Sequence, residues 1–117
     1  ETHHLINAET LDKTPPDAII INTARGPVVD EDALTAALES GKVFAAGIDV
    51  FADEPPLSNR DTLLSHPRVV ATGHYAWYSE RASRELQRRA ALNLAAMLQG
   101  EVPEDCLNRD ALGRQNR

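Results

Sequence analysis

With 117 residues, 42% of them hydrophobic and 26% charged, the chain suits one globular domain able to bury roughly two-thirds of its surface, neither disordered nor fibrous. A formal charge of −6 and a pI near 5.1 argue against a nucleic-acid or anionic-membrane partner, since both need a concentrated positive surface. No apolar run approaches a membrane span, no charged-then-apolar leader is recognised, and the lone Cys106 cannot make an internal disulfide, so a reducing, cytoplasmic location is expected.

The first five residues read as a polar lead-in. Its neighbours His3 and His4 would point to opposite sides of an extended chain, with no third ligand near, so a surface loop is expected and no metal site. Asn7 suits the N-cap of a short helix over residues 8–13, which Pro15 and Pro16 end. Residues 19–21, three isoleucines, are too short a run for a helix and read as a buried strand. A polar turn ends at Gly26, a position that calls for positive φ or a close approach of another group to the backbone. Ala33, Leu34, Ala37 and Leu38 then share one face of a helix of about ten residues, opened by Asp30 and closed by Gly41. Residues 43–50 predict a second strand. Strand, helix and strand in this order require a crossover, hence parallel strands in a sheet covered on both faces.

A loop over residues 53–60 follows, marked by Pro55, Pro56, Ser58 and Asn59, and Leu63 with Leu64 suggests one helical turn. Residues 69–72 predict a third parallel strand, with His74 two residues beyond it. The longest helix runs from an N-cap at Ser79 to about Gln99, with Ala82, Leu86, Ala90 and Leu94 on one face and Gly100 at its end. Its arginines 81, 84, 88 and 89 read as a solvated face, diluted by Glu80 and Glu85. Residues 101–117 read as a polar tail that docks Cys106 and Leu107 and frays after Leu112.

Asn22, Thr23 and Arg25 follow the first strand, Asp49, Asp53 and Glu54 the second, and His74 the third. All therefore gather at the carboxyl edge of one sheet, where open α/β sheets bind ligands. The stretch NTARGPVVDEDALTAALESGKVFAAGIDVFADEP closely resembles the signature of the D-isomer-specific 2-hydroxyacid dehydrogenases over more than thirty residues. The following AWYSE and GEVPEDCLN resemble the branch containing the C-terminal-binding-protein corepressors.

The resemblance implies an α/β fold: the second half of a Rossmann-type doubly wound parallel sheet, three parallel strands with flanking helices, within a two-domain protein. Residues 1–100 would be the C-terminal half of the NAD-binding domain, and 101–117 a return toward the substrate domain. It implies NAD as cofactor, with NADP not excluded, and a small 2-hydroxy or 2-oxo acid as substrate. Arg25, Glu54 and His74 would be catalytic, Thr23, Ala24, Arg25, Asp49 and His74 would line the cofactor, and Trp77 would shape the substrate pocket. Where relatives usually carry proline, this chain has Gly73, which loosens the preset position of His74.

The chemistry suits those roles: a guanidinium fork grips a carboxylate, an imidazole exchanges a proton near neutrality, and a carboxylate orients that imidazole and favours its protonated form. From the residues alone each also has a plain reading. Arg25 suits a helix-flanking surface arginine, Asp49 a loop cap, Glu54 a solvated turn acid, His74 a capped histidine after a strand, and Trp77 core packing. No G-x-G-x-x-G follows a strand, so the pyrophosphate turn is expected elsewhere and the chain is expected to be a piece, by itself a poor binder of NADH and inactive. An open apolar sheet edge suggests pairing with a second copy, a homodimer. The alternative to an enzyme is an NAD(H)-sensing interaction module with little turnover.

Overall fold

In a computed structural model, residues 2–56 and 61–112 are described, and the chain forms two compact units, one reaching Ala76 and the other beginning at Trp77. The first unit runs α1 (Ala8–Asp12), β1 (Ala18–Asn22), a 3-10 turn (Gly26–Val28), α2 (Glu31–Glu39), β2 (Val43–Ile48), α3 (Asp61–Leu64) and β3 (Val69–Ala71). Positions 57–60 of the expected loop, and the fraying expected beyond Leu112, lie outside the described residues.

The local signals act as read. Asn7 and Thr10 close a reciprocal capping box at α1, with Asn7 Oδ1 accepting from Thr10 N at 3.1 Å and Thr10 Oγ1 from Asn7 N at 2.8 Å. Asp30 Oδ1 accepts from Ala33 N at 3.0 Å and starts α2, and Gly41, at φ 77°, follows its last turn. The helix covers the sheet with Leu34 and Leu38, both wholly buried, each contributing about 1.5–3 kcal/mol relative to exposure. Together with Leu11, Val43, Ile48 and Leu63 they form the core.

The strands are parallel in the order β1-β2-β3, with Ile20 opposite Ala46 and Ala46 opposite Val69. One expectation is corrected. The sheet is covered on a single face within its unit, because α1, α2 and α3 all join the core on that side. Ile19, Ile21, Phe44 and Val70 point the other way and are 58%, 71%, 50% and 69% exposed. The run of three isoleucines records two apolar faces, of which this unit fills one. The histidine pair differs too: His4 takes φ 49°, the two rings stack at 3.9 Å instead of diverging, and His4 Nδ1 lies 3.7 Å from an oxygen of Asp30.

In the second unit, α4 (Glu80–Leu98) begins at Ser79, whose Oγ accepts from Ala82 N at 3.0 Å, and ends at Gly100, φ 75°. Three of its arginines are ion-paired along the surface, Arg84 with Glu80, Arg88 and Arg89 with Glu85. Arg89 also reaches Asp105 at 2.7 Å and so ties the following segment to the helix. The expected apolar face is not buried within this unit: Leu86 and Leu94 are exposed. A further single turn, α5 (Arg109–Leu112), escaped the sequence reading because four residues carry no periodicity. Cys106 is half-buried and Leu107 fully exposed.

Candidate functional site

The carboxyl ends of β1, β2 and β3 are knitted into one edge by backbone and side-chain bonds. Asn22, buried at the end of β1, accepts from Ala24 N at 3.1 Å through Oδ1 and donates through Nδ2 to Arg25 O at 3.0 Å. That Asx-type turn fixes the exposed segment Thr23, Ala24 and Arg25. Asn22 O accepts from Asp49 N at 3.0 Å, which brings the β1 turn beside the end of β2. One Arg25 donor goes to Ala24 O at 2.6 Å.

At Gly26 the reason is a close approach and not positive φ. A Cβ built there would lie 1.9 Å from Phe51 C and 2.3 Å from Ala52 N. The close approach is to the chain's own backbone, so the segments carrying Arg25 and Glu54 are pressed together with no room for a side chain.

Asp49, 4% exposed, is the staple of the third loop. Its Oδ1 accepts from Tyr75 N at 2.8 Å and from the Thr72 hydroxyl, its Oδ2 accepts from Ala76 N at 2.9 Å, and its carbonyl accepts from His74 N at 2.8 Å. The Thr72 hydroxyl above all, helped by the Ala76 and Tyr75 amides and the charge of His74, holds its carboxyl below the usual aspartate value against the opposing effect of burial. These bonds keep His74 at φ 63°, a conformation a β-carbon resists unless its surroundings impose it. Gly73 is flanked by residues that Asp49 holds, Thr72 before it and His74, Tyr75 and Ala76 after it.

Glu54 is bonded at both oxygens. Oε1 accepts from Phe51 N at 3.1 Å, and Oε2 lies 2.8 Å from His74 Nδ1. The hydrogen bond from His74, then the Phe51 amide, with the charges of His74 and Arg25 adding, lowers the Glu54 carboxyl from its ordinary value. The guanidinium, the carboxylate and the imidazole thus share one local field, and both side chains of the pair stay about two-fifths exposed, at 39% and 43%. Beside them is a cleft of about 370 Å³ walled by Phe51, Pro55, Leu64 and Ala71, with Asp49, Glu54 and His74 at its polar side.

Because the folded Glu54 value is depressed, its contribution to stability is present above the ordinary glutamate range and is lost as pH falls through the lowered value. Carbon NMR of the Glu54 carboxyl should place its midpoint below 4.5, and His74→Asn should move it upward. A midpoint unmoved by that substitution contradicts the pairing.

Glu54, His74 and Asp49 are therefore bonded in series in the first unit, with Arg25 near enough for its charge to act on Glu54 and the Thr23–Ala24 turn at the adjoining strand end. Trp77 opens the second unit, 54% exposed and edge-on to Tyr78 at 5.6 Å. Sequence reasoning missed Thr72 and the structural task of Asn22; an asparagine at the end of a strand, before a polar turn, was the available signal. Among the described residues no three of His, Cys, Asp and Glu are grouped to hold a metal ion, and no helix is long and apolar enough to cross a membrane.

The family model described as D-isomer specific 2-hydroxyacid dehydrogenase, NAD binding domain, matches residues 1–76. A glyoxylate/hydroxypyruvate reductase B of Pectobacterium atrosepticum is 48% identical over 112 residues, covering 96% of this chain and 35% of that protein. The structure of a D-isomer specific 2-hydroxyacid dehydrogenase from Xanthobacter autotrophicus Py2, in complex with NADPH and MES, aligns with a TM-score of 0.75 at 39% identity, over 89% of this chain and 42% of that one. D-lactate dehydrogenase of Lactobacillus jensenii with NAD+ aligns with a TM-score of 0.78 at 29% identity, over 88% and 34%. The chain spans about a third of the length of the curated relatives it matches. These likenesses do not carry the narrower resemblance to the corepressor branch.

Proposed function

Because the chain belongs to the D-isomer specific 2-hydroxyacid dehydrogenase family, of which it matches the NAD-binding domain, we propose that it supplies the proton-transfer and carboxylate-binding residues of an NAD-linked oxidoreductase. The reaction is the reduction of a small 2-oxo acid to its D-2-hydroxy acid, or the reverse. The observation that carries this reading is the 2.8 Å contact of His74 Nδ1 with Glu54, in the field of Arg25, at the carboxyl edge of a parallel sheet.

The residues present suit a nicotinamide. Asp49 uses three of the roughly four acceptor positions of a carboxylate, which leaves one for an amide N–H, and the Thr23–Ala24 turn lies beside it. When bound, the cofactor supplies or accepts the hydride. Arg25 takes the substrate carboxylate in a two-point grip and polarises the adjacent carbonyl. With Nδ1 committed to Glu54, His74 presents Nε2, which gives its proton to the carbonyl oxygen during reduction and takes it back during oxidation. Glu54 keeps the imidazole in one orientation and stabilises its charged form, as a carboxylate does for histidine in other proton-transfer sites.

The reductase relatives favour glyoxylate and hydroxypyruvate as substrates, and the family resemblance assigns Trp77 to substrate specificity. The Xanthobacter relative keeps NADPH open beside NADH. We place the protein in the cytoplasm, with neither nucleic acid nor membrane as partner, readings supported by its net charge of −6 and single cysteine, and assign it a homodimer, supported by the exposed apolar side chains of the half sheet.

NADH oxidation by the full-length protein that carries this chain, with a panel of 2-oxo acids, tests the proposal. Turnover with glyoxylate or hydroxypyruvate, lost on removing the His74 imidazole, supports it. No turnover, with an NADH-dependent change in oligomer size, supports a sensing module instead.

A further inference from the structure

We propose that Glu31 is a positioning residue for the Glu54–His74 pair. The inference rests on the reading of that pair as the proton-transfer site. Glu31 lies in the first turn of α2, where an acid ordinarily faces water and the helix dipole. Here it is only 6% exposed, and its Oε1 reaches 21 residues along the chain to accept from Ala52 N at 2.7 Å. Burial costs a carboxylate its hydration, so the short bond that its Oε1 accepts from Ala52 N is a strong tie between α2 and the 51–54 segment.

What it restrains is the segment on which Glu54 depends. Phe51 N donates to Glu54 Oε1, Ala52 N donates to Glu31, and the backbone of both residues presses on Gly26. The segment is thus clamped by α2 on one side and by the Arg25 turn on the other, and Glu54 Oε2 is delivered to His74 from that fixed base. Releasing the Ala52 amide loosens the base, and Glu54 loses the Phe51 N–H and its alignment with the imidazole together. The lowered Glu54 carboxyl reports that alignment.

The test compares Glu31→Gln, which keeps an oxygen acceptor, with Glu31→Met, which keeps the volume and removes the acceptor. In Glu31→Met the Glu54 carboxyl midpoint rises toward the ordinary value and kcat falls by about 10- to 100-fold with KM little changed, while Glu31→Gln retains both. A folded Glu31→Met with an unmoved Glu54 titration overturns the inference. Should that variant not fold, the unaltered chain decides. A coupling across the hydrogen bond from Ala52 nitrogen to the Glu31 side-chain carboxyl carbon supports the clamp, and its absence overturns it. If the titration shifts but the unaltered full-length protein reduces no 2-oxo acid, the dehydrogenase reading fails while the restraint on Glu54 stands.

Discussion

In the full-length protein, replacing His74 by asparagine is expected to lower kcat/KM for 2-oxo acid reduction by about 10²- to 10⁴-fold, the usual contribution of a positioned proton donor. Asparagine is the informative replacement. Residue 74 sits at φ 63°, and asparagine tolerates that conformation better than alanine, so the loop bonded to Asp49 survives the change. A thermal melt like that of the unaltered protein, with the rate lost, isolates the imidazole from the fold. The surviving Arg25 keeps its grip on the substrate, so the loss falls on kcat and spares KM. A variant that retains full activity removes His74 from the chemistry.

Gly26→Ala is expected to cost more stability than any other single added methyl in the first unit, above about 3 kcal/mol. The new carbon would stand 1.9 Å from Phe51 C and 2.0 Å from Phe51 O, and both belong to backbone that cannot swing aside. Gly41→Ala is the control. There the backbone is at φ 77° and nothing lies within 4 Å, so only the local strain of about 1–2 kcal/mol is felt. Urea midpoints of the two variants separate crowding from conformational strain. Near-equal midpoints would show that the two segments can part.

Much of this was legible in the residues because the signals are local. Asn7, Asp30 and Ser79 cap helices as their side chains dictate, and the alternation of short apolar runs with a helix compels a parallel crossover. That Arg25, Glu54 and His74 lie at one sheet edge follows from each trailing its own strand by a few residues. What could not be read depends on distances between segments far apart in the chain. Glu31 looks like any acid in a first helical turn, and only the fold brings Ala52 to it. Asp49 reads as a loop cap or a cofactor contact, yet it holds three donors from residues 72–76. The bare sheet face was hidden for the opposite reason: an isoleucine run states that two faces are apolar and is silent on which is filled.

That bare face shapes the thermodynamics of the chain. Ile19, Ile21, Phe44 and Val70 keep from half to about seven-tenths of their surface in water in the folded chain, so melting uncovers less new hydrocarbon there than at filled core positions. The heat-capacity step and the denaturant slope, which both track freshly wetted surface, are consequently smaller than a chain of 117 residues would otherwise give. The stability curve is flatter, and whatever settles on those four side chains steepens it.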